Sequence, residues 1–137
     1  MKILDTDVCI EILRGNAQVI SRRSQILDKV ATTWITACEL SYGAERSRAP
    51  RHNQVLLVEF LATLLVIGLD IPAAERFGQL KAKLEQTGDR LADADLLIAA
   101  ITLTHGATLI TGNLKHYQRI ETLCIEDWIR GATPTSK

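Results

Sequence analysis

The chain lacks the features that would make it a disulfide scaffold, a zinc protein or a membrane span. Its three cysteines, Cys9, Cys38 and Cys124, are far apart and odd in number. No CxxC pair exists, which argues against both metal-ribbon and dithiol chemistry, and each cysteine reads as a small buried hydrophobe. His52, His105 and His116 share no ligand spacing. Formal net charge is zero, which excludes an extended basic surface for nucleic acid but leaves room for a local patch. The longest near-apolar run, Phe60 to Leu69, is too short to cross a bilayer. Met1-Lys2 leads into a short apolar strand rather than a signal segment, so the expectation is a cytoplasmic protein with no membrane partner. No P-loop, GxGxxG fingerprint or Ser-His-Asp set is present.

What remains is ordinary globular composition, 47% hydrophobic and 23% charged, in a chain long enough for one well-packed core. We expect a single domain over residues 1–131 and a mobile tail over 132–137, which carries Pro, Thr and Ser but no apolar anchor. Short apolar runs at Lys2–Leu4, Val30–Ile35, Leu65–Ile67, Ala107–Ile110 and Thr122–Ile125 read as strands. Helical segments separate them. Thr6 is the expected N-cap of the first, and Thr36 opens the one after the second strand. Ala73, Phe77, Leu80 and Leu84 form a clean apolar stripe on a later helix. Short strands alternating with helices predict an α/β fold, a parallel sheet with helices on both faces.

The organising stretch is Leu91–Ala100. Asp93 and Asp95 open it, and no charge follows until His105, so the implied helix is almost wholly buried. Acids in a first turn are favoured by the helix dipole, with Asp93 as a possible N-cap. In open parallel sheets, however, ligands bind beyond the carboxyl ends of the strands. The same edge receives Asp5 directly after the first strand, Glu39 in the first turn after the second, and Asn113 just after the fourth. Each has a local alternative. Thr36-x-x-Glu39 is also a capping box, Asp5 a capping or turn residue, and Asn113 a turn residue. Asp7 reads as a solvated first-turn acid.

Convergence shifts the balance. Two like charges about 4 Å apart repel by roughly 4 kcal/mol at an effective dielectric near 20. Several carboxylates in one pocket therefore call for a cation or for protonation. Oxygen donors without His or Cys favour a hard ion, Mg²⁺ or Mn²⁺, and such a centre suits phosphoester chemistry. Arg46, Arg48, Arg90, Lys115 and His116 are candidates for holding substrate phosphates, which would position a polyanion without reading its sequence.

Four blocks in order then resemble the PIN domain of VapC-type toxins. They are Ile3-Leu4-Asp5-Thr6-Asp7, Cys38–Ala44, Asp93–Ala100 and Leu109–Tyr117, and Ile125-Glu126-Asp127-Trp128 is similar to the family's C-terminal end. The resemblance implies a Rossmann-like fold with a five-stranded parallel sheet. It implies a Mg²⁺-dependent endoribonuclease that hydrolyses RNA phosphodiesters with metal-activated water, and the toxin role in a type II toxin–antitoxin pair. A cognate antitoxin that occludes the site and a homodimer belong to the same expectation. The core acids carry over to Asp5, Glu39 and Asp95. Asp93 is a looser extra, and Asn113 stands where many members have a fourth Asp. Two other readings stay open: a non-catalytic module that binds RNA or protein, and a dehalogenase-like phosphatase suggested by the D-x-D of Asp5-Thr6-Asp7.

Overall fold

Five short strands pair in parallel in the computed structural model, which describes residues 1–131. The tail expected to be mobile, 132–137, lies outside the described residues. The strands are β1 (Lys2–Leu4), β2 (Val30–Thr33), β3 (Leu65–Ile67), β4 (Thr108–Ile110) and β5 (Cys124–Glu126), in the order β3-β2-β1-β4-β5. Between them lie α1 (Thr6–Leu13), α2 (Ala17–Gln25), α3 (Trp34–Glu45), α4 (Pro50–Leu61), α5 (Ile71–Thr87), α6 (Asp93–Thr104) and α7 (Leu114–Tyr117). Parallel pairing requires these crossovers, because no hairpin can join strands that run the same way. The α/β architecture expected from the alternation is the one observed.

Strand alternation sends neighbouring side chains to opposite faces. Ile3 and Leu109 pair in register and face the core built on α5, α6 and α7. Leu4 and Ile110, one residue on, face the core that α1, α2, α3 and α4 build with Trp128. Helix α6 is the central buried element: Leu96, Ile98, Ala99, Ala100 and Ile101 are at most 2% exposed. Burying one such large side chain stabilises the fold by about 1.5–3 kcal/mol. The stripe on α5 packs beside it, with Asp70 accepting the Ala73 N–H at 2.9 Å to begin the helix and Gly88, at φ 77°, ending it.

Several helix starts differ from expectation, and at α1 and α3 the reason is that a neighbouring polar group caps instead. Asp5, not Thr6, is the N-cap of α1; its Oδ1 accepts the Thr6 N–H at 2.9 Å. Strand β2 stops at Thr33 rather than Ile35. The Thr33 hydroxyl takes the Thr36 N–H at 3.1 Å, so α3 starts at Trp34. The capping box built on Thr36 is therefore not formed, and Glu39 is released from it. Asp93 is the first residue of α6, not its N-cap, which is Ala92. Cys9 is buried as expected, but Cys38 is exposed and Cys124 only partly covered. His52 sits exposed on α4 rather than in a loop.

Candidate active site

The chain leaves β1 towards β2 on one side and returns to β4 on the other, so its two halves part above β1 and β4. Such a switch point leaves a crevice at the strand ends. Asp5 and Thr111 stand there, each directly after its strand. Asp5 is 6% exposed. Its Oδ1 accepts from the Thr6 N–H and its Oδ2 from the Thr111 hydroxyl, both at 2.9 Å. Those bonds favour the charged form but do not prevail. Burial, with repulsion from Asp7 and then Asp95, pushes the Asp5 carboxyl up to about 7.

Thr6 joins two of the expected acids. Its backbone serves Asp5, while its hydroxyl donates to Glu39 Oε1 at 2.6 Å and lies 3.1 Å from the Thr36 hydroxyl. Glu39 is exposed on α3. Asp95, third in α6 and 27% exposed, shares a hydrogen bond of 2.8 Å with His116 Nε2 and accepts the Tyr117 hydroxyl at 3.3 Å. Tyr117 is fully buried, and its ionisation is pushed well up by burial and by Asp5, Asp95 and Asp7. It is therefore a neutral donor. Asn113 is exposed, and its N–H donates to Thr111 Oγ1 at 3.0 Å, so it hangs on the hydroxyl that holds Asp5.

Asp93 goes elsewhere. Residues two apart on a helix point about 200° apart, so only one of the acids in Asp93-Ala94-Asp95 turns inward. Asp93 is 61% exposed and pairs with Lys81 at 3.0 Å. Of the basic candidates, only His116 bonds to a core acid. Arg46 is exposed and stacks on Tyr42 at 5.3 Å. Arg90, Arg48 and Lys115 are exposed. Thr6, expected only as a helix cap, joins Thr111 and Tyr117 as polar partners of the core acids that the sequence pattern does not assign to the site. Thr6 carries a local signal, lying between two acids at the end of an apolar strand, whereas Thr111 and Tyr117 have no acid beside them in sequence. Asp7 is a correction: far from solvated, it is half-buried, accepts the Gly112 N–H at 2.9 Å, and leaves Oδ1 buried without a partner among the described residues.

These residues fit a hard divalent ion held loosely. Among the described residues no three His, Cys, Asp or Glu side chains are grouped closely enough to hold a metal ion by themselves. An ion such as Mg²⁺ does not require such a group, since it keeps several waters and takes one or two carboxylates. The donor set is all oxygen. Asp5 is an acid raised by burial and then by its acidic neighbours, where added positive charge has a large effect. Beside Glu39 an apolar groove of about 330 Å³ opens between α1, α3 and α4, lined by Leu13, Leu40, Leu56 and Leu57.

Comparison with known proteins gives the family and the fold. Residues 2–121 match the profile of the PIN domain, and the chain belongs to that family. It is 33% identical to Ribonuclease VapC2 of Haemophilus influenzae, over 93% of this chain and 97% of the relative. It is 34% identical to the tRNA(fMet)-specific endonuclease VapC of Salmonella typhimurium, over 92% and 96%. Among solved structures, VapBC2 from Rickettsia felis bound to a promoter DNA fragment superposes with a TM-score of 0.87 at 30% identity, covering 93% of this chain and 98% of that one. No helix of the described residues is long and apolar enough to cross a membrane.

Proposed function

We propose that this protein is a divalent-metal-dependent endoribonuclease, the toxin of a toxin–antitoxin pair. The observation that carries the reading is Asp5. It is a buried carboxyl at the switch point, raised to about 7 by burial and by two neighbouring acids, in a chain whose relatives are VapC ribonucleases. Asp5 and Asp95 would hold the ion, Mg²⁺ or Mn²⁺, directly or through water, with Glu39 and Asn113 at its rim and Asp93 outside. When bound, the ion supplies charge neutralisation, a more acidic water and stabilisation of the leaving oxygen.

The chain's own residues do the rest. Thr6 and Thr111 fix the Asp5 carboxylate by both oxygens, so it does not rotate away when charge changes nearby. Tyr117 and His116 orient Asp95. Lys115, Arg46 and Arg90 stand exposed for phosphate contacts, and they position rather than read the strand. The groove beside Glu39 is apolar, so a segment of the antitoxin laid along it would reach the acids and close the site. A homodimer is part of the same proposal.

The test is cleavage of total cellular RNA by the antitoxin-free protein, with Mg²⁺, with EDTA, and beside an Asp5→Asn twin. Purified tRNA is the first defined substrate, because one relative is named for it. A discrete fragment seen only with wild type and Mg²⁺ supports the reading. Equal patterns in all three arms reject it.

A further inference from the structure

We propose that Asp7 and Arg130 form a backbone clamp on Gly112 that positions Thr111 and Asn113 in the candidate active site. Its catalytic consequence rests on the nuclease reading above. The clamp acts on both polar atoms of one residue. The Gly112 N–H donates to Asp7 Oδ2 at 2.9 Å, and the Gly112 carbonyl accepts from the Arg130 guanidinium. Arg130 is itself held: its guanidinium lies 3.2 Å from Asp127 Oδ2. Asp127 is 1% exposed, and its Oδ1 takes the Ile129 and Arg130 N–H groups at 2.7 and 3.0 Å. The closing turn of the fold thus presents one jaw, and α1 presents the other.

The target loop needs such support. After β4 only the Thr111 N–H continues the sheet, donating to the Glu126 carbonyl at 2.9 Å. The Gly112 N–H and carbonyl have side-chain partners instead, and a displaced loop would carry the Thr111 hydroxyl away from Asp5 and the Asn113 N–H away from Thr111. A side chain at Gly112 would press on the clamp itself, and one of its side-chain ends would have to shift. An added Cβ would sit 2.8 Å from Ile129 Cδ1 and 2.9 Å from Asp7 Oδ2. Asp7 also explains itself in this role. It keeps one oxygen buried and unpartnered, an arrangement that demands a compensating use. Asp7 lies two residues from Asp5 on the same helix start, so the clamp ties the β4 loop to the element that carries the principal acid.

The experiment has two arms on the full chain. Amide hydrogen exchange, read by NMR, compares wild type with Asp7→Ala, Asp7→Asn and Arg130→Gln. Losing a bond to a charged acceptor should speed Gly112 exchange about tenfold or more in Asp7→Ala, and less in Asp7→Asn, which keeps an acceptor oxygen. In RNA cleavage, Asp7→Ala and Arg130→Gln should lower kcat roughly 10- to 100-fold with KM little changed, because the loop is misplaced and not removed. Arg130→Lys should recover part of it. The double variant should be no worse than the poorer single, since both act on one residue. Unchanged Gly112 exchange in Asp7→Ala overturns the clamp, and so does faster exchange with wild-type kcat. If wild type cuts no RNA, the nuclease reading fails by itself. Mn²⁺ affinity by calorimetry then decides the clamp: weaker binding by Asp7→Ala sustains it, and equal binding overturns it.

Discussion

Replacing Asp5 by Asn should stabilise the metal-free protein at neutral pH while abolishing its activity. The carboxyl is raised from its ordinary 3.8 to about 7, chiefly by burial and then by Asp7. A folded-state pKa above the unfolded one means the fold binds the proton more tightly. Stability from this group is therefore complete below about pH 4 and is lost as pH rises through 7. At ~1.4 kcal/mol per pKa unit the whole penalty is about 4 kcal/mol, of which roughly 2–3 kcal/mol falls between pH 5 and 8. Asn keeps Oδ1 as acceptor for the Thr6 N–H. Its amide meets Thr111 Oγ1, which loses an acceptor at a cost of about 1 kcal/mol. The net gain at pH 8 is roughly 2–3 kcal/mol. Urea unfolding in EDTA, followed by the fluorescence of the buried Trp128, measures it at both pH values. Wild type should weaken towards pH 8 relative to Asp5→Asn. Millimolar Mn²⁺ should then raise the melting temperature of wild type alone, by the equivalent of about 2.7 kcal/mol at 100 times the dissociation constant. A variant less stable than wild type at pH 8, or parallel pH slopes, would refute the reasoning.

Three further outcomes are expected. Asp95→Asn should cut RNA cleavage by at least about 100-fold at unchanged melting temperature, since it removes the charge that His116 and Tyr117 orient; wild-type rates would remove Asp95 from the site. Glu126→Ala should destabilise by about 3–5 kcal/mol in denaturant melts. The 6% exposed carboxylate holds Lys2 at 3.1 Å, Arg22 at 3.4 Å and the Trp128 indole N–H at 3.1 Å, and all three would lose a buried partner. Ile98→Ala should cost about 2–5 kcal/mol, because Ile98 is fully buried on α6; a loss below 1 kcal/mol would mean that α6 is not the packed centre of its layer.

Strongly patterned elements were legible with their bounds. Strand β3 falls where the apolar run puts it, and α6 runs as its uncharged stretch requires. Boundaries set by competing hydroxyls were not. Thr32-Thr33-Trp34-Ile35 has strand propensity throughout, yet the strand ends at Thr33, its last pairing being with Ile67. Only that pairing decides which threonine is left to cap α3, and hence whether Glu39 is held in a capping box or turns to the Thr6 hydroxyl. The role of Asp7 is likewise absent from the local pattern. Its partner, Gly112, is 105 positions away, and nothing local announces it.

By itself the sequence determined the α/β class, the family blocks and the acids at strand ends, because period and local chemistry are written in neighbouring residues. Tertiary structure alone decided which of those acids meet. Asp93 and Asp95 are equivalent in local pattern, but the side on which α6 packs turns Asp95 to His116 and Tyr117 and leaves Asp93 with Lys81. Placing β4 against β1 brings Thr111 onto Asp5. That contact arises from sheet order, a long-range choice made by the whole core and invisible to any short stretch of chain.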